Sequence, residues 1–154
     1  MSRKTVDFLA SHLRGRPGQI TLVALGPLTN LAHLQRRHPG TLEMARTVVI
    51  MGGAVDVPGN ITPLAEFNFY SDPQAAQEIV SSNLPLTLVD LGACRRVSIA
   101  RRAMERVGSK HRLGILVVQL LNNWFRKHPG QDRFEFYDPL AVVAALDTLI
   151  LQTK

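Results

Sequence analysis

Residues 48–73 read VVIMGGAVDVPGNITPLAEFNFYSDP, and this stretch decides the fold class because it contains a strand, a loop and a helix start. The apolar run 48–50 is typical of a strand that is covered on both faces. Gly52 and Gly53 follow at once, and two residues without a Cβ let the backbone turn sharply or lie close to a ligand. Asp72 and Pro73 then predict an N-cap and the first residue of a helix.

The segment 65–70, AEFNFY, alternates polar and aromatic residues. If this segment is extended, Glu66 and Asn68 point to one side and the two phenylalanines point to the other. A carboxylate and an amide would then face one target. The same two residues are equally compatible with solvated loop positions, because a lone Gly-Gly is a weak signal. Spacing alone leaves both interpretations open.

Strands and helices alternate along the chain as far as Asp90. Apolar spacing predicts strands over 19–25, 47–51 and 86–89, with helices over 5–13, from 28 to about 38, and over 73–81. Right-handed crossovers would place the three carboxyl ends at one edge of a parallel sheet, where ligands bind in such folds. Beyond Asp90 the pattern predicts only helices, over 98–107, 113–125 and 138–146. The predicted fold class is therefore α/β, a parallel sheet with flanking helices and a helical C-terminal part.

Composition indicates one ordinary globular domain in a reducing compartment. The chain has 154 residues, 45% of them hydrophobic, and its single cysteine, Cys94, excludes an internal disulfide. The N-terminus carries no apolar run of the kind found in secretory signals, and no stretch approaches the roughly 20 apolar residues that span a bilayer. We therefore expect a cytoplasmic protein without a membrane partner.

The charge balance is basic, with 18 Lys+Arg against 12 Asp+Glu and a formal net charge of +6. A basic protein attracts polyanions in general. Arginine pairs such as Arg36-Arg37 and Arg95-Arg96 are scattered, however, and they lack the interleaved aromatic residues of a single-strand groove. We interpret them as solvated helix faces and expect no specific nucleic-acid partner, although a basic nucleic-acid-associated module remains the weaker alternative.

Three motifs in order resemble those of a known enzyme family. The run MGGAVDVPGNITPLAEFNFYSDP resembles the central motif of the nucleoside hydrolases, the inosine–uridine-preferring N-ribohydrolases. ALGPLTNLA before it and YDPLAVVAALD after it resemble that family's neighbouring motifs, and the similarity extends from about residue 6 to about residue 149. The resemblance implies a Rossmann-like fold and hydrolysis of the N-glycosidic bond of ribonucleosides to ribose and free base.

The resemblance also implies a calcium site. In the family, the aspartate that matches Asp138 is a Ca²⁺ ligand, and the residue that matches Leu25 supplies a backbone carbonyl to the same ion. Such hard oxygen ligands are those that Ca²⁺ prefers. From the residues alone, Asp138 before Pro139 is predicted as the N-cap of the last helix.

The remaining site residues carry over by the same resemblance. Asn60, Glu66 and Asn68 match the family's ribose contacts, and Met51 lies near the sugar. Tyr137 stands where many members carry a histidine that protonates the leaving base. Tyrosine, with an ordinary pKa of about 10, is a weaker acid than imidazolium at neutral pH. The implied substrate is a small-molecule ribonucleoside.

The chain departs from the family in one major respect. The family opens with an aspartate-rich strand-end motif that provides most Ca²⁺ ligands and the general base, and no such motif occurs between Met1 and Gln19. We therefore expect residues 1–154 to form a single partial domain that is inactive alone, with hydrolysis and a homo-oligomeric state in the complete protein. The alternative is a non-catalytic relative that binds nucleoside, ribose or a partner protein. Because missing strands would leave an open sheet edge, the isolated chain is expected to aggregate, dimerise or partly unfold.

Overall fold

The computed structural model describes residues 3–107 and 111–147 of the chain. Its helices and strands, in chain order, are α1 (Arg3–Gly15), β1 (Thr21–Ala24), α2 (Thr29–Arg37), β2 (Thr47–Met51), α3 (Phe67–Ser71), α4 (Pro73–Val80), β3 (Leu86–Val89), α5 (Leu91–Arg96), β4 (Ser98–Ala100), α6 (Arg112–Lys127), β5 (Arg133–Glu135) and α7 (Tyr137–Leu146). Short 3₁₀ turns cover Leu42–Met44 and Arg101–Arg106. Among the described helices, none is both long enough and apolar enough to cross a membrane.

The chain divides into two compact units. The first contains the described residues of Met1–Ala93 and Tyr137–Lys154, and the second is Cys94–Phe136. The assignment of residues 1–154 to one partial domain stays a prediction.

The first unit is built on a parallel sheet in the order β1-β2-β3. Ala24 pairs with Ile50, and Ile50 pairs with Leu88, so the three strands run in register and in one direction. The predicted α/β class with a parallel sheet is confirmed. Because the strands are parallel, the carboxyl ends of β1, β2 and β3 lie at the same edge of the sheet. Two predicted site residues lie at this edge: Leu25 directly follows β1, and Met51 is the last residue of β2.

The core of this unit lies between the sheet and the helices α1, α2 and α4. Val48 and Ile50 on the central strand are fully buried, as the β-branched run predicts. In α1, Val6, Ala10 and Leu13 are buried because positions three and four residues apart share one helix face. On the other side, α7 packs against the strands. This burial fixes where β2 ends and the site loop begins.

The second unit corrects the prediction that only helices follow Asp90. The helix predicted over 98–107 is wrong, because β4 pairs antiparallel with β5, with Ile99 opposite Phe134, and a 3₁₀ turn follows β4. Both of these side chains pack on a small core that includes Leu121 and Phe125. The partner strand is distant in sequence, so local apolar spacing does not reveal the pairing.

Helix α6 matches the helix predicted over 113–125, and its apolar residues fall into a buried group and an exposed group. Leu121 is buried in the core of the second unit, whereas Leu113 is 77% exposed and Leu120 is 59% exposed. Only part of the apolar surface of α6 therefore belongs to the core. The expected aggregation or dimerisation of the isolated chain stays a prediction.

The packing of α4 generates a test of the core. Ile79 is fully buried and its neighbour Val80 is 43% exposed. We expect Ile79→Ala to lower the free energy of unfolding by about 2–5 kcal/mol, because the substitution removes buried methyl groups and leaves a cavity. The control Val80→Ala should change it by less than about 0.5 kcal/mol. Denaturant titration of both variants measures the difference, and equal losses would contradict the burial of Ile79.

Candidate functional site

The turn after β2 is tied to the end of β3 by backbone hydrogen bonds. Gly52 N–H donates to the Val89 carbonyl at 3.2 Å, and Leu91 N–H donates to the Gly53 carbonyl at 3.0 Å. Gly53 has φ +79°, a left-handed conformation that favours glycine. A Cβ on Gly52 would lie 2.6 Å from Cε1 of Phe69, so the ring rests directly on the turn. Both glycines are therefore required by geometry.

Glu66 is the buried acid of this edge, with 2% of its surface exposed. Its carboxylate accepts three backbone N–H groups: Asn68 N–H to Oε1 at 2.8 Å, Gly53 N–H to Oε2 at 3.0 Å and Phe69 N–H to Oε2 at 3.1 Å. Two of these bonds cap the N-terminus of α3, and the third joins that helix to the turn after β2. A buried carboxylate is tolerated here because it is hydrogen-bonded on both oxygens.

The prediction of an extended segment over 65–70 is wrong, because Phe67–Ser71 forms the short helix α3. Glu66 is its N-cap with an extended backbone, and Asn68 lies in the first turn. Phe67 is 54% exposed, while Phe69 packs against the glycines. The two phenylalanines therefore do not share one face, as they would in a strand. The alternative reading of Glu66 and Asn68 as solvated loop residues is also wrong, since both are buried.

Asn68 reaches the same turn from the other side. Its Nδ2 donates to the Met51 carbonyl at 3.0 Å and lies 3.4 Å from the Met51 sulfur. Met51 is the last residue of β2 and is buried. The structure therefore brings Met51, Glu66 and Asn68 together around Gly52 and Gly53.

Asn60 lies in the exposed loop that connects the turn to α3. Its side-chain oxygen accepts the Phe67 N–H at 3.0 Å, and its own N–H donates to the Ala65 carbonyl at 3.1 Å. A Cβ on Gly59 would lie 2.3 Å from the Ala65 carbonyl oxygen, so the loop closes tightly only with glycine there. Asn60 is thus linked to the N-terminus of α3, next to Glu66.

Asp72 ends the site loop as the sequence predicts. Its Oδ1 accepts the Ala75 N–H at 3.1 Å, which caps α4, and Pro73 is the first residue of that helix. Its Oδ2 accepts the Thr29 hydroxyl from α2. These two hydrogen bonds, that of Thr29 first, hold the pKa of Asp72 below its ordinary value.

The two residues predicted as metal ligands follow β1 and begin α7, which packs against the strands of the sheet. Helix α7 begins at Tyr137, so Asp138 is its second residue and the predicted N-cap role is wrong. Burial raises the pKa of the Asp138 carboxyl. Leu25 directly follows β1 and is partly exposed.

The described residues do not complete a Ca²⁺ site. They contain no group of three or more His, Cys, Asp or Glu side chains placed to hold a metal ion. The Asp138 carboxylate and the Leu25 carbonyl would supply a few of the 6–8 oxygens that Ca²⁺ takes.

The sequence interpretation missed Asp90, which follows β3 at the same edge. Its carboxylate accepts the Val55 N–H at 3.0 Å and the Ala93 N–H at 2.9 Å. The signal was an aspartate placed directly after a buried parallel strand, a position that faces the ligand edge of such sheets.

Comparison with known proteins places this geometry in a family. The family model described as inosine-uridine preferring nucleoside hydrolase matches residues 1–154. The chain belongs to this family. The resemblance that the three motifs indicate is thereby confirmed, and so is the nucleoside hydrolase fold of the parallel sheet.

Among nucleoside hydrolase relatives, the pyrimidine-specific ribonucleoside hydrolase RihA of Klebsiella pneumoniae is 36% identical over 96% of this chain and 49% of its own length. Uridine nucleosidase 1 of Arabidopsis thaliana is 30% identical over 94% of this chain and 44% of its own length. Of solved structures, the plant nucleoside hydrolase PpNRh1 superimposes with a TM-score of 0.87 and 32% identity, covering 96% of this chain and 48% of the plant protein. The chain therefore spans about half the length of the nucleoside hydrolase relatives that it matches.

The hydrogen bonds of Glu66 generate a prediction. Glu66→Gln keeps the shape but replaces one acceptor oxygen by an NH₂ group that faces backbone N–H donors. We expect the free energy of unfolding to fall by about 1–3 kcal/mol, because a buried donor loses its acceptor. The control Glu43→Gln changes an exposed acid and should stay within about 0.5 kcal/mol of wild type. Denaturant unfolding distinguishes the two, and a neutral Glu66→Gln would rule out the three-donor arrangement.

The pKa of Asp72 generates a second prediction, for Thr29→Val. Losing the Thr29 hydroxyl should raise the pKa of Asp72 towards its ordinary value of 3.8. A carboxyl whose pKa is lower in the folded state than in the unfolded state stabilises the protein at a pH above its ordinary pKa. That stabilisation is lost as the pH falls through the folded-state pKa. The melting temperature of Thr29→Val should therefore fall furthest below that of wild type at neutral pH, and the gap should narrow as the pH drops below 3.8.

Thermal melts over a pH series, with an NMR titration of the Asp72 carboxyl carbon, measure both effects. The control is Thr5→Val on the exposed side of α1, whose effect should not depend on pH. A gap for Thr29→Val that is constant with pH would contradict the link to Asp72.

Proposed function

We propose that this chain forms the ribose-binding part of a site that hydrolyses the N-glycosidic bond of ribonucleosides to ribose and free base. The observation that carries the proposal is the convergence of Met51, Glu66 and Asn68 at the carboxyl edge of a parallel sheet, in a chain of the nucleoside hydrolase family. Ligands of open α/β sheets bind at this edge.

The hydrogen-bond inventory supports a sugar as the ligand. A carboxylate offers about four lone-pair positions, and backbone N–H groups use three of those on Glu66, so about one remains for a hydroxyl. Asn68 uses its NH₂ group on Met51. Its side-chain oxygen accepts no hydrogen bond within the described residues, and it can accept one from a hydroxyl. A ribose presents hydroxyls of the kind that both groups bind.

Gripping the sugar is also what the chemistry requires. Cleavage of an N-glycosidic bond builds oxocarbenium character on the ribose, so a site gains rate by holding the hydroxyls and placing negative charge near the developing cation. In this proposal Asn60 and Met51 complete the ribose contacts. Tyr137 donates a hydrogen bond to the leaving base, in place of a histidine.

For the complete site we propose Ca²⁺, with the Asp138 carboxylate and the Leu25 carbonyl among its ligands. The described residues alone do not complete that site, so we expect the 154-residue chain to retain Ca²⁺ poorly and to be inactive by itself. We further propose a cytoplasmic, homo-oligomeric complete protein with no specific nucleic-acid partner.

A non-catalytic relative is the second candidate. Tyr137 at the position where many members carry a histidine favours it. Such a protein would bind ribose or a nucleoside without turnover, even with the acidic segment restored.

The test compares the 154-residue chain with a chimera that carries, upstream of Met1, an aspartate-rich segment of the kind that the family resemblance implies. Release of reducing sugar from inosine and uridine is measured with Ca²⁺ and with a chelator. We expect turnover by the chimera in Ca²⁺ and none by the chain alone. A folded chimera that binds nucleoside without turnover supports the second candidate, and one that neither binds nor hydrolyses any nucleoside overturns both.

Within the chimera, Asn68→Ala should lower kcat/KM by about 10–100-fold. The substitution removes the proposed hydrogen bond to the substrate and leaves the Met51 carbonyl without its donor. The matched control is Asn83→Ala, an exposed asparagine just before β3 and thus at the opposite edge of the sheet. Equal effects of the two substitutions would argue against Asn68 as a ribose contact.

A further inference from the structure

Asp90 joins two segments that are far apart in sequence. Its Oδ1 accepts the Ala93 N–H at 2.9 Å, and Ala93 lies in the first turn of α5. Its Oδ2 accepts the Val55 N–H at 3.0 Å, and Val55 belongs to the loop that follows β2. The first bond is an ordinary helix cap. The second has no role in capping.

The loop bends sharply where Asp90 holds it. Asp56, next to Val55, has φ +56° and is the non-glycine residue of the described chain with a positive φ. Aspartate tolerates this left-handed conformation better than most residues, but the conformation still needs support from its surroundings. Val57, one residue further, has its Cγ1 3.3 Å from the point where a Cβ on Gly92 would lie. The segment from Asp90 to Gly92 therefore contacts the loop on both sides of the bend.

The loop leads directly to Asn60. From Pro58 to Ala65 it is closed by its own backbone hydrogen bonds, such as Gly59 N–H to the Pro63 carbonyl at 3.0 Å. Such a closed segment moves largely as one piece, so the position of its start sets the position of Asn60. At its far end the Asn60 side chain meets the Phe67 N–H. The loop is thus held at Asp90 and at α3.

We propose that Asp90 is a positioning residue for the candidate site: its second carboxylate oxygen fixes the start of the loop and thereby places Asn60 for the ribose. The placement for a ribose rests on the proposed function, whereas the fixing of the loop does not. A residue whose only role is to cap α5 would need one acceptor oxygen, and serine supplies that as well as aspartate does.

The test separates the two hydrogen bonds in the 154-residue chain. Asp90→Ser keeps a cap for α5 but is too short to hold Val55 as well, and Asp90→Ala removes both bonds. Hydrogen exchange of the Val55, Asn60 and Phe67 amides reports opening of the loop. We expect exchange about tenfold faster in Asp90→Ser, as befits the loss of one hydrogen bond to a charged group.

The matched control is Asp72→Ala, which removes the cap of α4 by the same chemistry. It should lower the melting temperature and speed exchange in the first turn of α4, while exchange of the loop amides stays at the wild-type rate. Loop exchange at the wild-type rate in Asp90→Ser, or equal loop exchange in both variants, overturns the proposal. If Asp90→Ser fails to fold, Asp90→Asn replaces it. Asparagine keeps only one acceptor oxygen, so faster exchange at Val55, Asn60 and Phe67 is expected. Wild-type exchange at these three amides, with or without faster exchange at Ala93, overturns the proposal.

Calorimetry of uridine binding to the chain tests whether Asp90 affects the affinity for a nucleoside. Asp90→Ser should weaken the affinity by about tenfold and Asp72→Ala should leave it unchanged. If the wild-type chain and the chimera both lack affinity for uridine and inosine, the proposed function fails, and hydrogen exchange alone decides whether Asp90 holds the loop. If the wild-type chain binds uridine and Asp90→Ser binds it equally well, the positioning role is wrong and the proposed function stands.

Discussion

The buried carboxylate of Glu66 is the constraint on which the rest of the site depends. A buried charge is costly unless its oxygens are hydrogen-bonded, and three backbone N–H groups from two segments meet this requirement. The same bonds force α3 to start at Phe67 and to lie against Gly53. The end of β2, the glycine turn and α3 therefore form one rigid assembly, and Asn68 adds a further link through the Met51 carbonyl.

This rigidity explains why the turn contains two glycines. Because Glu66 fixes the start of α3, the ring of Phe69 lies over the turn, and it leaves no room for a side chain on Gly52. Gly53 adopts a left-handed conformation that also directs its N–H towards the carboxylate. Small residues thus let the ring approach, and the ring covers the turn that Met51, Glu66 and Asn68 surround.

The parts predicted well from sequence are those that local signals determine. The strands Thr47–Met51 and Leu86–Val89 consist mainly of apolar residues and are flanked by turn-forming residues, so the sequence alone predicts their bounds. The sequence does not reveal helix α3, because glutamate is an unusual N-cap. Glutamate is favoured here because its carboxylate also accepts the N–H of Gly53, thirteen positions earlier in the chain. The pairing of β4 with β5 was missed for a similar reason, since the partner strand is remote.

The acidic residues of the first unit differ in how far backbone N–H groups already occupy their oxygens. Glu66 and Asp90 lie at the ligand edge, where backbone N–H groups occupy three of about four acceptor positions on Glu66 and two on Asp90. Both acids therefore hold backbone segments in place. Asp138, by contrast, is exposed and accepts no hydrogen bond among the described residues, and partial desolvation raises the pKa of its carboxyl. A bound cation would reverse that shift. Of the three acids, Asp138 is therefore the one whose carboxylate oxygens are left open to a further ligand.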